Sequence, residues 1–98
     1  NTAEEVSGVP ASYPCYPLSI GSRGSEVMKI QEQLNRISDN YPLIPKVVPD
    51  GIFGEATQNA VRTFQRIFGL TPDGIVGSRT WYKIQDVYVA VTQMAEGE

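Results

Sequence analysis

The stretch Asp50-Gly51-Ile52-Phe53-Gly54-Glu55-Ala56-Thr57 recurs as Asp73-Gly74-Ile75-Val76-Gly77-Ser78-Arg79-Thr80, and both copies share the frame Asp-Gly-Ile-x-Gly-x-x-Thr. A proline precedes each copy, Pro49 and Pro72. Asp-Gly is turn chemistry, because the carboxylate folds onto nearby backbone N–H groups and glycine tolerates positive φ. The apolar pairs that follow, Ile52-Phe53 and Ile75-Val76, are expected to plug into a core as short extended segments. Gly54 and Gly77 fall where a helix N-cap would be. Thr57 and Thr80 fall in the first turn, within reach of its exposed N–H groups. Each copy therefore launches a helix, and the repetition implies two related supersecondary units.

Outward from this frame, three segments carry helical periodicity. In the first, Ser25 is expected to be the N-cap and Glu26 suits the first turn. Val27, Ile30, Leu34 and Ile37 form its apolar face, Lys29, Glu32, Gln33 and Arg36 the other, and Ser38-Asp39-Asn40 its end. The second helix is predicted over 55–68, with a stripe of Ala60, Val61, Phe64, Ile67 and Phe68. Gly69 is its left-handed terminator and Leu70 the apolar follower. The third is predicted over 78–91, with Trp81, Ile84, Val87, Tyr88 and Val91 inward. The repeat has a second layer, since Val27-x-x-Ile30-Gln31 matches Val61-x-x-Phe64-Gln65. Two copies of helix, connector, Asp-Gly turn and helix start therefore overlap and share the middle helix. The expected fold is all-α: a three-helix orthogonal-type bundle with two Asp-Gly-x-x-Gly turns and an approximate internal twofold repeat.

The connector over 39–49 holds Pro42, Pro45 and Pro49 with Tyr41, Leu43, Ile44, Val47 and Val48. It reads as a long ordered loop, too apolar for a tether. Residues 1–17 read as an extended linker, since Pro10, Pro14 and Pro17 oppose a helix. Tyr13 and Tyr16 are expected to lie along the surface of a domain spanning 18–92, and residues 93–98 to fray. The chain starts without a methionine and is expected to be part of a longer protein.

Composition narrows the function. The 98 residues make one small domain, 41% apolar, with a formal charge of −3 and no basic run. Nucleic acid and anionic membranes are poor partners for such a surface, and no apolar run is long enough to span a bilayer. There is one cysteine and no histidine. The pattern offers no disulfide, no metal site and no cofactor motif, and the commonest acid–base residue is missing.

The pattern resembles the peptidoglycan-binding domain found in many bacterial cell-wall hydrolases. The likeness rests on Gly21-Ser22-Arg23-Gly24-Ser25-Glu26-Val27, Ile30-Gln31, Leu34, Asp50-Gly51-Ile52-Phe53-Gly54, Thr57, Ala60-Val61, Phe64-Gln65, Gly69-Leu70, Asp73-Gly74-Ile75-Val76-Gly77 and Thr80-Trp81. It covers residues 18 to 90. The connector over 39–49 is longer than the short family pattern, and the resemblance carries no ligand residue over by position. It implies an accessory module that holds a catalytic domain on the wall, extracellular or wall-associated in a bacterium, or associated with its spore. A relative of the fold sits in metalloproteinase pro-segments, so a protein-docking or intramolecular docking module is the alternative. Cys15, between prolines, resembles the inhibitory thiol of those pro-segments. That switch needs a metal enzyme in the same chain, and a lone thiol without a role is the plainer reading.

Individual residues divide between scaffold and contact. Asp50 and Asp73 look like a glycosidase acid pair, yet catalysis needs two acids in different environments and a duplicated turn gives them like ones. Asp50, Gly51, Gly54, Thr57, Asp73, Gly74, Gly77 and Thr80 are therefore read as turn and cap residues. Gln31 and Gln65 are read as amides that tie down a loop backbone. Trp81 could stack on a sugar, but its place on the apolar stripe favours the core. The candidate contacts with glycan or stem peptide are Arg23, Tyr41, Lys46, Asp50, Arg79 and Tyr82. An arginine at a helix start grips a carboxylate bidentately, unless it pairs with Glu26 or Glu55 instead. Tyr41 and Lys46 are expected to wall a shallow groove formed by the Asp50 turn, the connector and the start of the third helix. Enzyme activity ranks lowest, because no nucleophile–base pair is visible.

Overall fold

The computed structural model describes residues 12–96, which form α1 (Ser25–Ser38), α2 (Glu55–Ile67) and α3 (Ser78–Glu96). Most of the expected linker and the last two residues of the expected frayed end lie outside the described residues. Among the described residues no helix is long and apolar enough to cross a membrane. α1 packs against α3 over a broad contact and against α2 over a narrower one.

The apolar stripes of all three helices close on one centre. Val27, Ile30, Leu34 and Ile37 of α1, Ala60, Val61 and Phe64 of α2, and Trp81, Ile84, Val87 and Val91 of α3 are all buried. Ile67, Phe68 and Tyr88 pack at its edge. Trp81 is 1% exposed, which removes it as a sugar platform. α2 stops as expected. Gly69 adopts φ 76°, and the Leu70 N–H reaches back to the Gln65 carbonyl at 2.8 Å, the bond that satisfies an orphan carbonyl at a helix end.

Three details differ from the sequence reading. Gly24, at φ 128°, takes the N-cap of α1, and Ser25 is the first helical residue. The Gly24 N–H is bonded to the Gly51 carbonyl at 2.9 Å, so the entry of the helix is fixed by the first Asp-Gly turn rather than by a side chain. α3 continues to Glu96, past the Val91 end expected from its apolar periodicity. Near that end the Thr92 hydroxyl donates back to the Tyr88 carbonyl at 2.9 Å, and the Arg36 guanidinium of α1 donates to the Val91 carbonyl at 3.2 Å.

Only one residue of each apolar pair enters the core: Phe53 and Val76 are buried, whereas Ile52 and Ile75 are 43% and 40% exposed. Successive side chains in an extended segment point to opposite sides, so an apolar pair cannot bury both members against one centre. Both segments are extended because they pair with the chain before α1. Leu18 bridges Val76 and Arg23 bridges Ile52, both antiparallel. Leu18 itself is buried, so one short run of backbone fastens both turns to the base of α1.

The connector is ordered by its own bonds. Asn35 of α1 exchanges two 2.8 Å hydrogen bonds with the backbone of Val47. The Ser38 hydroxyl donates to the carbonyl of buried Ile44 at 2.7 Å.

Candidate functional site

The two Asp-Gly turns are built around one glutamine each, with the same bonds in both. At the first, the Gly51 N–H donates to Gln31 Oε1 at 2.8 Å. Gln31 Nε2 in turn faces the Ile52 carbonyl at 2.9 Å, Thr57 Oγ1 at 3.0 Å and Asp50 Oδ1 at 3.3 Å. At the second, the Gly74 N–H donates to Gln65 Oε1 at 2.9 Å. Gln65 Nε2 faces Ile75 O at 3.1 Å, Thr80 Oγ1 at 3.0 Å and Asp73 Oδ1 at 3.0 Å. An amide offers two hydrogens, so three acceptors around each nitrogen share them. Both glutamines are 1% exposed. The threonine hydroxyls, expected to serve first-turn N–H groups, accept from these amides instead, because a buried amide left short of an acceptor costs more than a helix start that water can solvate.

The aspartates belong to the same bonding. Asp50 Oδ1 accepts the Ile52 N–H and Asp73 Oδ1 accepts the Ile75 N–H, each at 2.9 Å. The Ile52 N–H, and then the Gln31 amide, hold the Asp50 carboxyl below its ordinary value of 3.8. A general acid for glycoside cleavage needs the opposite shift.

A hollow of about 390 Å³ opens beside the second turn, between the end of α2 and the start of α3. Leu70, Thr71, Asp73, Ile75, Ser78 and Arg79 contribute to its walls. α1 and α2 carry Glu26 and Glu55 in their first turns, but the first turn of α3 holds no acid. The positive end of the α3 dipole therefore lacks a first-turn carboxylate to balance it, and Arg79 adds a full charge beside it.

The expected contact residues are distributed over the surface. Arg79 lines the hollow just described. Arg23 and Asp50 sit together at the first turn, where Arg23 pairs with Ile52 through backbone. Lys46 donates to Asp39 Oδ1 at 2.7 Å and to the Asn35 carbonyl at 2.9 Å, so it clips the connector to α1. That hydrogen bond and charge lower the Asp39 pKa. Tyr82 accepts the Tyr13 N–H at 3.1 Å, and the Tyr13 ring rests against Trp81 at 6.0 Å and Tyr82 at 6.4 Å. Tyr13 is thus partly covered, as expected, whereas Tyr16 is 52% exposed. Tyr41 lines a second hollow of about 470 Å³, between the connector and α3.

Compared with known proteins, residues 23–84 match the peptidoglycan binding domain family. The chain belongs to that family. It is 39% identical over 88 residues to a zinc D-Ala-D-Ala carboxypeptidase of Streptomyces albus G, covering 85% of this chain and 33% of that protein. It is 40% identical over 60 residues to a spore cortex-lytic enzyme of Bacillus cereus, covering 61% of this chain and 21% of that protein. The chain thus spans about a third or less of the length of these relatives. Among solved structures, the SleB N-terminal domain superposes with a TM-score of 0.67 at 28% identity, over 79% of this chain and 99% of that one. A peptidoglycan-binding protein from Clostridioides difficile gives 0.64 at 35% identity, over 76% of this chain and 43% of that one.

One pair in this peptidoglycan-binding domain escapes the sequence reading. Gln33, assigned to the solvent face of α1, is 8% exposed. It exchanges hydrogen bonds of 2.9 and 2.8 Å with Gln85 of α3. The signal was present: Gln33 lies three residues after Ile30 and four before Ile37, on the same helical face.

Proposed function

We propose that this chain is a non-catalytic wall-binding module that holds an attached protein on bacterial peptidoglycan, outside the cell membrane. The reading is carried by the two glutamine-bonded turns. Both acids of the repeat are used by backbone, in like environments, within a chain whose family and relatives belong to wall recognition and wall hydrolysis. The contact surface is the hollow at the start of α3. There Arg79 and first-turn N–H groups favour a carboxylate, such as that of a stem peptide.

The test is sedimentation of the chain with purified walls at low salt, together with measurement of soluble sugar and amine released. The chain goes to the pellet and releases nothing. Arg79→Ala weakens retention about tenfold, the loss of one charge-assisted bond. Failure to pellet, or clearing of the walls, contradicts the proposal. Leu43 and Val48, 79% and 71% exposed on the connector, favour docking to a protein as the second reading. Failure to pellet combined with tight binding to the attached catalytic domain selects that reading.

A further inference from the structure

The second hollow is built differently from the first. Val87, Ala90 and Val91 of α3 supply apolar surface, Tyr41 an aromatic wall, and Asn40, Lys83 and Asp86 a polar rim. The Tyr41 ring is braced edge-on by Phe68 at 5.1 Å, and the Lys83 ammonium lies over the same Phe68 ring at 5.8 Å. Asn40 Oδ1 already accepts from Arg36 at 3.0 Å, which leaves its amide N–H₂ to donate. Among the described residues Asp86 and the Tyr41 hydroxyl have no hydrogen-bond partner.

Lys83 and Asp86 put opposite charges at the rim. Unlike the first hollow, where the Asp73 carboxylate is held by the Ile75 N–H and the Gln65 amide, no helix start adds to either sign, so the hollow favours a neutral ligand. Its polar groups would be left unpaired under a purely apolar one. An aromatic wall, apolar ground and a neutral ring of donors and acceptors match a sugar with an acetamido group. The ring C–H face stacks on an aromatic side chain, the acetyl methyl meets Val87 and Ala90, and the hydroxyls and amide meet the rim. The volume of about 470 Å³ suits a small-molecule site, commonly about 300–1,000 Å³.

The two hollows share a face. Arg79, Lys83, Asp86 and Ala90 are spaced i, i+4, i+7, i+11 along α3, one side of a helix. Arg79 and Val87 are about 12 Å apart along its axis. The end of α2 lies between the hollows, with Gly69 and Leu70 lining the first and Phe68 bracing the second.

We infer that this second hollow binds an N-acetylated aminosugar of the glycan strand, while the first takes the peptide. The inference rests on the wall-binding reading and extends it. The probe is a β-1,4-linked trimer of N-acetylglucosamine, titrated into the isotope-labelled chain and followed by amide shifts. The trimer moves the Asn40 side-chain amide and the Lys83 and Ala90 amides along a saturating curve, and leaves Ser78 and Arg79 in place. The deacetylated trimer produces no such shifts. Ala90 is exposed, so Ala90→Phe fills the hollow from its solvent side. It lowers trimer affinity at least tenfold with the melting temperature unchanged, and Asp86→Asn lowers it less. Shifts that map elsewhere, equal binding of the deacetylated trimer, or wild-type affinity in Ala90→Phe each overturn the inference. No trimer binding alongside intact retention on walls overturns the sugar site alone. Loss of both removes the wall-binding reading as well.

Discussion

At the scale of the residue, the turn glycines depend on glutamine side chains 20 and 9 positions away in sequence. Gln65→Ala strands the Gly74 N–H and the Ile75 carbonyl, one of them within buried surroundings. The expected loss is about 1–3 kcal/mol, the cost of one unsatisfied buried group, read from urea unfolding midpoints. Gln31→Ala costs a similar amount, and a neutral result for either would remove the glutamines from the account. Glycine matters unequally. Gly74 has φ +75° and an added Cβ would lie 2.7 Å from Gln58 Cγ, whereas Gly77 has open space and no positive φ. Gly74→Ala is therefore expected to destabilise by about 1–3 kcal/mol, and Gly77→Ala by about 0.5 kcal/mol or less. Asp50 adds a pH dependence. Its folded pKa lies below 3.8, so its contribution is complete above the unfolded value and fades as pH falls through the lower folded value. Asp50→Asn should flatten that acid limb in pH-dependent thermal melts by lowering neutral-pH stability while leaving the most acidic points nearly unchanged.

At the scale of the element, alternation decides which residue of each apolar pair is structural. Phe53→Ala is expected to cost about 3–5 kcal/mol as a buried aromatic truncation, and Ile52→Ala about 1 kcal/mol or less, both from chemical denaturation. Equal effects would contradict the extended geometry. Three helices, the terminator at Gly69 and the glutamine ties were legible from periodicity and from the repeat, because local signals and a duplicated pattern carried them. The N-cap at Gly24 was not, since a bond to Gly51 outranks the local capping preference of Ser25. The end of α3 was not, since β-branching at Val87, Val89 and Val91 lowers propensity while packing against α1 and the clasp from Arg36 hold the helix.

At the scale of the whole molecule, neither hollow was legible. The first is curled from one run of chain over 69–80, whose shape the packing of α2 and α3 sets, and the second joins the connector to α3, far along the chain. Sequence spacing placed Arg79 and Tyr41 on the surface, but only the packing puts both along the α3 side. Lys46 and Tyr82 were named for exposure, and the fold employs them in fastening the connector and the segment around Tyr13.

The central claim is that the repeated acids are scaffold and the chain binds walls without chemistry. Its most direct test is the double variant Asp50→Asn/Asp73→Asn, which keeps an Oδ1 acceptor at each turn and removes both carboxylates. Sedimentation with purified walls should match the parent chain within about twofold, with no soluble fragments from either protein. Wall fragments released by the parent and abolished in the double variant would contradict it.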